Sequence, residues 1–179
     1  MSHHWPTWGN GRIIQQLEQQ QDLYRFIHDQ TLRLANQGLT PREIAEELHL
    51  PPNLADASHV QGYYGTLSHN VKAVYQFYFG WYDGNPVHLN QLPAVETASR
   101  YITLMGGVEA VLGHAEEAVD NGEYRWAAEL LNHLMFSGIS ATRAYDLLAY
   151  SYTQMGYQAE SGVWRDIFLS AAKELRQGN

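Results

Sequence analysis

Apolar residues recur at intervals of three and four along the first part of the chain. Between residues 12 and 36 the recurring positions are Ile13, Ile14, Leu17, Tyr24, Ile27 and Leu34. This spacing matches the period of an α-helix and predicts one amphipathic helix over 12–36 that stops before Gly38. The opposite, polar face is predicted to carry glutamines 15, 16, 19, 20 and 21.

A helix start follows directly. The sequence Thr-Pro-Arg-Glu at residues 40–43 is a capping box with proline at the first helical position. Ile44, Ala45 and Leu48 then predict a short amphipathic helix that ends at Pro51-Pro52. This helix would fit the first half of a helix-turn-helix, but the segment 51–59 that should read DNA contains no Arg or Lys. The pattern therefore favours a capped packing helix.

The second half of the chain reads as a series of helices separated by glycines. One helix is predicted after Asn90, with Pro93 near its start and Gly106-Gly107 at its end. Four more are predicted over 108–121, 123–137, 141–155 and 162–176. No stretch shows the period-2 alternation of a strand. The predicted fold is all-α, a bundle of antiparallel helical hairpins with about seven to nine helices.

The stretch 62–86 (GYYGTLSHNVKAVYQFYFGWYDGNP) holds eight aromatic residues in 25 positions. Ser68 is a candidate N-cap for a helix over 69–79 that stops at Gly80. Aromatic residues occupy more than one side of this helix, so it is either buried on all sides or shared with a partner. The second interpretation makes Tyr63, Tyr64, His69 and Lys72 candidates for facing a ligand.

Composition narrows the range of functions. A length of 179 residues suits one domain, or one domain with an appendage. The formal net charge of −8 argues against a nucleic-acid surface and against binding to anionic membranes. No apolar run approaches the roughly 18 residues of a membrane-spanning helix. The absence of cysteine excludes disulfides, thiolate metal sites and cysteine nucleophiles.

Classical catalytic motifs are missing from the sequence. The nine histidines form no H-x-x-x-H or H-x-H pair, and only His3-His4 stand in a strongly marked context. No G-x-S-x-G motif supports a serine hydrolase. The aspartates at 56 and 83 lie in predicted loops and Asp120 lies at the end of a predicted helix, and at such positions this residue most often forms turns.

Several separated phrases resemble one known family. Residues 2–9 (SHHWPTWG) resemble the end of the metallo-β-lactamase-like catalytic domain of bacterial alkyl sulfatases. Residues 22–31 (DLYRFIHDQT) and 62–86 resemble the alkyl sulfatase dimerisation domain that follows it. The likeness continues through Gly107 and residues 122–126, 129–133 and 156–165. On this resemblance, residues 1–11 are the remnant of the catalytic domain and residues 12–179 are the dimerisation domain.

The resemblance implies a Zn²⁺-dependent hydrolase that splits alkyl sulfate esters such as dodecyl sulfate into alcohol and sulfate, as in detergent degradation. It implies a homodimer whose helical domain lends residues to the sulfate pocket, and a periplasmic or secreted full-length protein. One of His3 and His4 matches the family's last zinc ligand, with His3 preferred. Tyr64 matches a position that touches the sulfate, and His69 is a second candidate for the same pocket.

The chain also departs from the family pattern. The family's H-x-H-x-D-H zinc motif, its two ligand glutamates and its sulfate-binding arginine have no counterpart here. We therefore expect a piece of the enzyme that self-associates and is inactive alone. The alternative is a free-standing helical module that binds a small amphiphile or a partner helix.

Overall fold

The structure is a computed structural model that describes residues 5–139 and 142–177. Within these residues it contains ten α-helices, one 3₁₀ turn at Ser58–Val60 and no strand. The helices are α1 (Asn10–Ala35), α2 (Pro41–Glu47), α3 (Pro52–Ala55), α4 (Leu67–Phe79), α5 (Pro86–Leu89), α6 (Ala94–Leu104), α7 (Val108–Asp120), α8 (Tyr124–Phe136), α9 (Thr142–Gln158) and α10 (Gly162–Gln177). The all-α prediction is confirmed. Eight of the ten helices have seven or more residues, and α3 and α5 are single turns that the sequence pattern did not indicate.

The helices form two compact units, residues 1–89 and 90–179. The division predicted from the family resemblance, between residues 11 and 12, concerns the boundary of a catalytic domain and stays a prediction. Among the described residues, no helix is both long enough and apolar enough to cross a membrane.

The core of the first unit lies where α1, α2 and α4 meet. Its buried side chains are Ile27, Leu34, Ile44, Leu48, Val71 and Tyr75.

The predicted capping box starts α2: the Thr40 N–H donates to Glu43 at 2.8 Å, and the Glu43 N–H donates to the Thr40 hydroxyl at 3.3 Å. Pro52 does not simply end α2, because it occupies the first turn of α3.

The N-terminal half of α1 has a different environment. Residues 5–8 have no regular structure, and Gly9 turns the chain into the helix with φ 92°. Gln16 was predicted on the polar face, but it is buried because the Thr7 hydroxyl donates to its side-chain oxygen at 2.8 Å. Ile13, Ile14 and Leu17, which the periodicity assigned to a buried face, are exposed. The helical period therefore predicted the helix correctly but not which residues of its first half are covered.

The second unit contains α6 to α10 around a second core. Its fully buried leucines and valine are Val111, Leu112, Leu130, Leu131, Leu134 and Leu148. An ion pair joins α7 to α9, with two guanidinium nitrogens of Arg143 each 2.6 Å from a carboxylate oxygen of Glu116. The predicted helices over 108–121, 123–137 and 162–176 agree with the observed bounds to within one residue.

The predicted stop of α9 at Gly156 is wrong. The helix continues to Gln158, and Gly156 is buried within it. A Cβ built on Gly156 would lie 2.9 Å from the side chain of Leu169 in α10. This glycine therefore permits two helices to approach closely, which is a second use of glycine besides ending a helix.

Candidate functional site

The candidate site begins at the N-terminus of α4, and the helix starts earlier than predicted. Thr66, not Ser68, is the N-cap: its hydroxyl accepts a hydrogen bond from the His69 N–H at 2.9 Å. The sequence-based choice failed because Thr66 and Ser68 are both good caps, and only the backbone decides between them. Ser68 lies inside the first turn, where its hydroxyl accepts a hydrogen bond from Lys72 Nζ at 3.1 Å.

This helix end is suited to a negatively charged group. Its first turn contains no acidic residue. The aligned peptide dipoles give the N-terminus a partial positive charge, and the ammonium group of Lys72 stands one turn further along. His69 is exposed and lies three residues before Lys72, so the two share one side of the helix.

Tyr63 and Tyr64 immediately precede the cap. A hydrogen bond of 2.9 Å from the Tyr63 N–H to the Gln61 carbonyl bends the backbone here. The Gln61 side chain donates to the carbonyls of Ala55 and Ala57, which anchors the bend to the end of α3. Tyr64 is 54% exposed. The local structure thus brings Tyr64 to the same helix end as His69 and Lys72.

The Gly65 backbone fits closely against this helix end. A Cβ at Gly65 would lie 2.8 Å from the side-chain oxygen of Asn70, in the first turns of α4. A larger residue at this position would have to push the Asn70 side chain away, which a flexible side chain allows at little cost.

The C-terminal half of α4 shows which of the aromatic side chains are buried within this chain and which are exposed. Tyr75 is buried at 8% exposure, but Phe77 is 80% exposed and Trp81, just beyond the helix, is 66% exposed. Tyr78 and Phe79 are exposed as well. The helix is therefore not buried on all sides in this chain. We call Phe77, Tyr78, Phe79 and Trp81 the aromatic patch.

One member of the aromatic patch, Tyr78, makes a polar contact that no sequence pattern indicates. The Tyr78 hydroxyl lies 2.8 Å from His28 Nε2 in α1, and His28 Nδ1 lies 2.8 Å from an Asp29 carboxylate oxygen. The imidazole thus bridges the Asp29 carboxylate, which only accepts, and the Tyr78 hydroxyl, which can donate or accept. The 50-residue separation between His28 and Tyr78 leaves no spacing signal in the sequence.

The loop after the aromatic patch is organised by Asp83. Its carboxylate accepts hydrogen bonds from the Asn85 N–H at 3.1 Å and from His88 Nδ1 at 2.5 Å. These two bonds, with the backbone bond as the larger effect, hold the pKa of Asp83 below its ordinary value of 3.8. Asp83 is thus a turn former, as the sequence predicted.

The predicted metal ligands cannot be assessed in the same way. His3 and His4 lie outside the described residues. Within residues 5–139 and 142–177, no group of three or more His, Asp or Glu side chains is placed to hold a metal ion.

Comparison with known proteins identifies the family to which this helical chain is similar. The family model described as alkyl sulfatase dimerisation matches residues 40–178. An alkyl/aryl-sulfatase of Saccharomyces cerevisiae is 53% identical over 98% of this chain and 27% of its own length. A linear primary-alkylsulfatase of a Pseudomonas species is 50% identical over 98% of this chain and 26% of its own length.

Solved structures of alkylsulfatases are also similar to this chain. A stereoselective inverting sec-alkylsulfatase from Pseudomonas superposes with a TM-score of 0.94 and 44% identity, over 99% of this chain and 28% of that one. The chain spans roughly a quarter of the length of these relatives. Since the family model covers most of the chain and the relatives match almost all of it, the chain belongs to the alkyl sulfatase dimerisation family.

Proposed function

We propose that this chain is a part of a zinc-dependent alkyl sulfatase, in which it mediates self-association and contributes Tyr64 to the binding of the sulfate group. The observation that carries the proposal is the match to the alkyl sulfatase dimerisation family over residues 40–178. The substrate class is an alkyl sulfate ester, which hydrolysis converts to an alcohol and sulfate.

The chemistry of the α4 N-terminus supports a role in sulfate binding. A sulfate ester carries its negative charge on oxygens that accept hydrogen bonds. The phenol of Tyr64 can donate one, and the helix dipole and Lys72 attract the charge. His69, in the first turn, is the second candidate for the same pocket. In this proposal these residues bind and orient the sulfate, and they do not themselves break the ester bond.

Exposed aromatic side chains support self-association. The aromatic patch lies within the five residues from Phe77 to Trp81, interrupted only by Gly80, and its side chains are exposed in a single copy. Large exposed apolar surfaces on soluble proteins commonly mark interfaces, and a twofold dimer is the commonest closed arrangement. The patch is therefore our proposed contact between two copies.

We propose zinc binding for the whole enzyme and not for this chain alone. When bound, zinc can polarise the sulfate ester and lower the pKa of a bound water. The described residues do not provide a complete ligand set, so we derive no step through the metal from this chain. One of His3 and His4 remains our proposed contribution to it.

Solution mass tests the self-association directly. Light scattering of the purified chain, over a dilution series, should give twice the 20.4 kDa mass of one copy at high concentration. Zinc measured on the same sample should be far below one ion per chain. A monomer at all concentrations would contradict self-association, and stoichiometric zinc would contradict the proposal that the ligands lie largely outside this chain.

A further inference from the structure

A cavity of about 460 Å³ opens within the second unit, between α8, α9 and α10. Each of the three helices contributes three side chains to its walls. The volume lies within the range of about 300–1,000 Å³ that is typical of sites for small molecules. The sulfate-binding residues proposed above belong to α4 and the turn before it, in the other unit, and take no part in this cavity.

Apolar side chains form most of the cavity wall. Leu148 is buried at its base, and Met135 and Leu175 are partly buried beside it. Phe136 is exposed at the rim, and the small side chain of Ala171 leaves room between α9 and α10. A wall of this composition fits an alkyl chain, whose transfer from water is favourable by about 25 cal/mol for each Å² buried.

Four polar side chains also line the cavity, and two of them, Asn132 and Glu174, are exposed to solvent. Asn132, Tyr145 and Tyr152 are uncharged donors and acceptors, and Glu174 brings a carboxylate. Burial raises the pKa of Tyr152, so its phenol stays protonated and can donate. The lining contains no Lys or Arg.

Two basic residues of α10, Lys173 and Arg176, flank Glu174 and Leu175 but do not line the cavity. Arg176 donates to the Thr153 hydroxyl at 2.9 Å and reaches the Ala149 carbonyl at 3.5 Å. It lies two residues from Glu174, which turns it about 200° around the helix axis. Glu174 is the charged side chain in the lining of the cavity, and its carboxylate disfavours a sulfate.

We propose that this cavity binds a linear alkyl alcohol, with the chain against Leu148 and Leu175 and the hydroxyl group among Asn132, Tyr152 and Glu174. An alcohol hydroxyl can donate to the Glu174 carboxylate and accept from the Tyr152 phenol, and an anionic sulfate cannot donate at all. This inference rests on the proposed function, because hydrolysis of an alkyl sulfate yields this alcohol. The cavity would hold the product and reject the substrate.

Two short amphiphiles with the same tail separate these possibilities. 1-Octanol and octyl sulfate, the latter below its micelle concentration, are titrated into the methyl-labelled chain and followed by NMR. The methyl signals of Met135, Leu148 and Leu175 report on the cavity. We expect octanol to shift these signals, with an affinity at least tenfold above that of octyl sulfate.

Variants of α10 locate the site and test the role of charge. Ala171→Leu fills the cavity and should reduce octanol affinity at least tenfold. Glu174→Gln should raise octyl sulfate affinity until it lies within about threefold of octanol. Asp166→Asn removes the same charge from an exposed position of the helix that does not line the cavity, and should change neither affinity. Circular dichroism of each variant checks that the helices remain folded.

Three results would overturn the inference. They are octyl sulfate binding as tightly as octanol, no octanol shift at the cavity methyls, and an octanol affinity that Ala171→Leu and Glu174→Gln both leave unchanged. If either Ala171→Leu or Glu174→Gln does not fold, the octanol affinity of the other variant still tests the inference. Failure here leaves the solution mass untouched, and a monomeric chain that still binds octanol in this cavity would instead refute the proposed self-association.

Discussion

Phe77 offers the sharpest test of the proposed interface. It is the first residue of the aromatic patch and is 80% exposed in a single copy. Replacing it by alanine removes an apolar ring from the surface and leaves the core residues Val71 and Tyr75 of the same helix in place. The substitution should therefore affect what covers the surface and not the fold beneath it.

The expected magnitude follows from the burial of one ring in each copy. Fully burying a phenylalanine side chain stabilises by about 1.5–3 kcal/mol, so its loss costs about 2 kcal/mol per copy. A twofold dimer contains the change twice, which gives about 4 kcal/mol and a dissociation constant raised by roughly 500- to 1,000-fold. Stability of the single copy should change by no more than about 0.5 kcal/mol, as for other surface substitutions.

Sedimentation velocity over a dilution series measures this dissociation constant. Leu104→Ala is the matched control, because Leu104 is also 80% exposed but lies in the second unit, outside the aromatic patch. Tyr75→Ala is the contrasting variant, since it should lower the free energy of unfolding by about 2–5 kcal/mol as a buried large-to-small change. An unchanged dissociation constant for Phe77→Ala, or an equal loss for Leu104→Ala, would refute the assignment of the interface.

Three further predictions concern other parts of the chain. In a full-length enzyme, Tyr64→Phe should lower kcat/KM by about 1–3 kcal/mol of transition-state stabilisation, the cost of one unpaired polar group; an unchanged kcat/KM would remove Tyr64 from the sulfate pocket. Thr40→Ala should lower the free energy of unfolding by about 0.5–2 kcal/mol in chemical denaturation, and an unchanged midpoint would contradict the capping role. Hydrogen bonds from the Thr40 backbone and then its side chain lower the pKa of Glu43 from 4.5. The stability that this shift provides is present above pH 4.5 and is lost as the pH falls through the lowered pKa, so the penalty of Thr40→Ala should be smaller in acid than at neutral pH. Gly156→Ala should destabilise by about 1–3 kcal/mol because its Cβ meets Leu169, and the addition of Leu169→Ala should make the two effects non-additive in a double-mutant cycle.

Much of the fold could be predicted because helices leave local signals. The capping box at Thr40 and the glycine stops at 80, 122 and 138 act within a few residues, and the structure has helix ends at each of them. Gly156 shows the limit of such signals. A glycine that ends a helix and a glycine that lets a second helix approach are identical in sequence, and only the position of Leu169 tells them apart.

The candidate site was less predictable, since its groups come together through tertiary contacts. Tyr64 and His69 were named from the aromatic stretch 62–86 and from its resemblance to the alkyl sulfatase family. The contact of His28 with Tyr78 spans 50 residues, and the cavity of the second unit needs three helices to form. No sequence pattern singled out the lining residues Leu148 and Leu175, and none indicates that a space remains between them.

The position of α4 links the two parts of the proposed function. Thirteen residues at 1.5 Å each make a rod of about 20 Å, with Thr66 and Tyr64 at one end and the aromatic patch at the other. Val71 and Tyr75, between the two ends, fix this rod to α1 and α2. A second copy that covers the patch would therefore hold the sulfate-binding end in place through a rigid element, without touching it. In this proposal the interface supplies no chemical group to the sulfate-binding end and affects it only through the position of α4. Loss of the dimer should therefore weaken sulfate binding only as far as it lets α4 move.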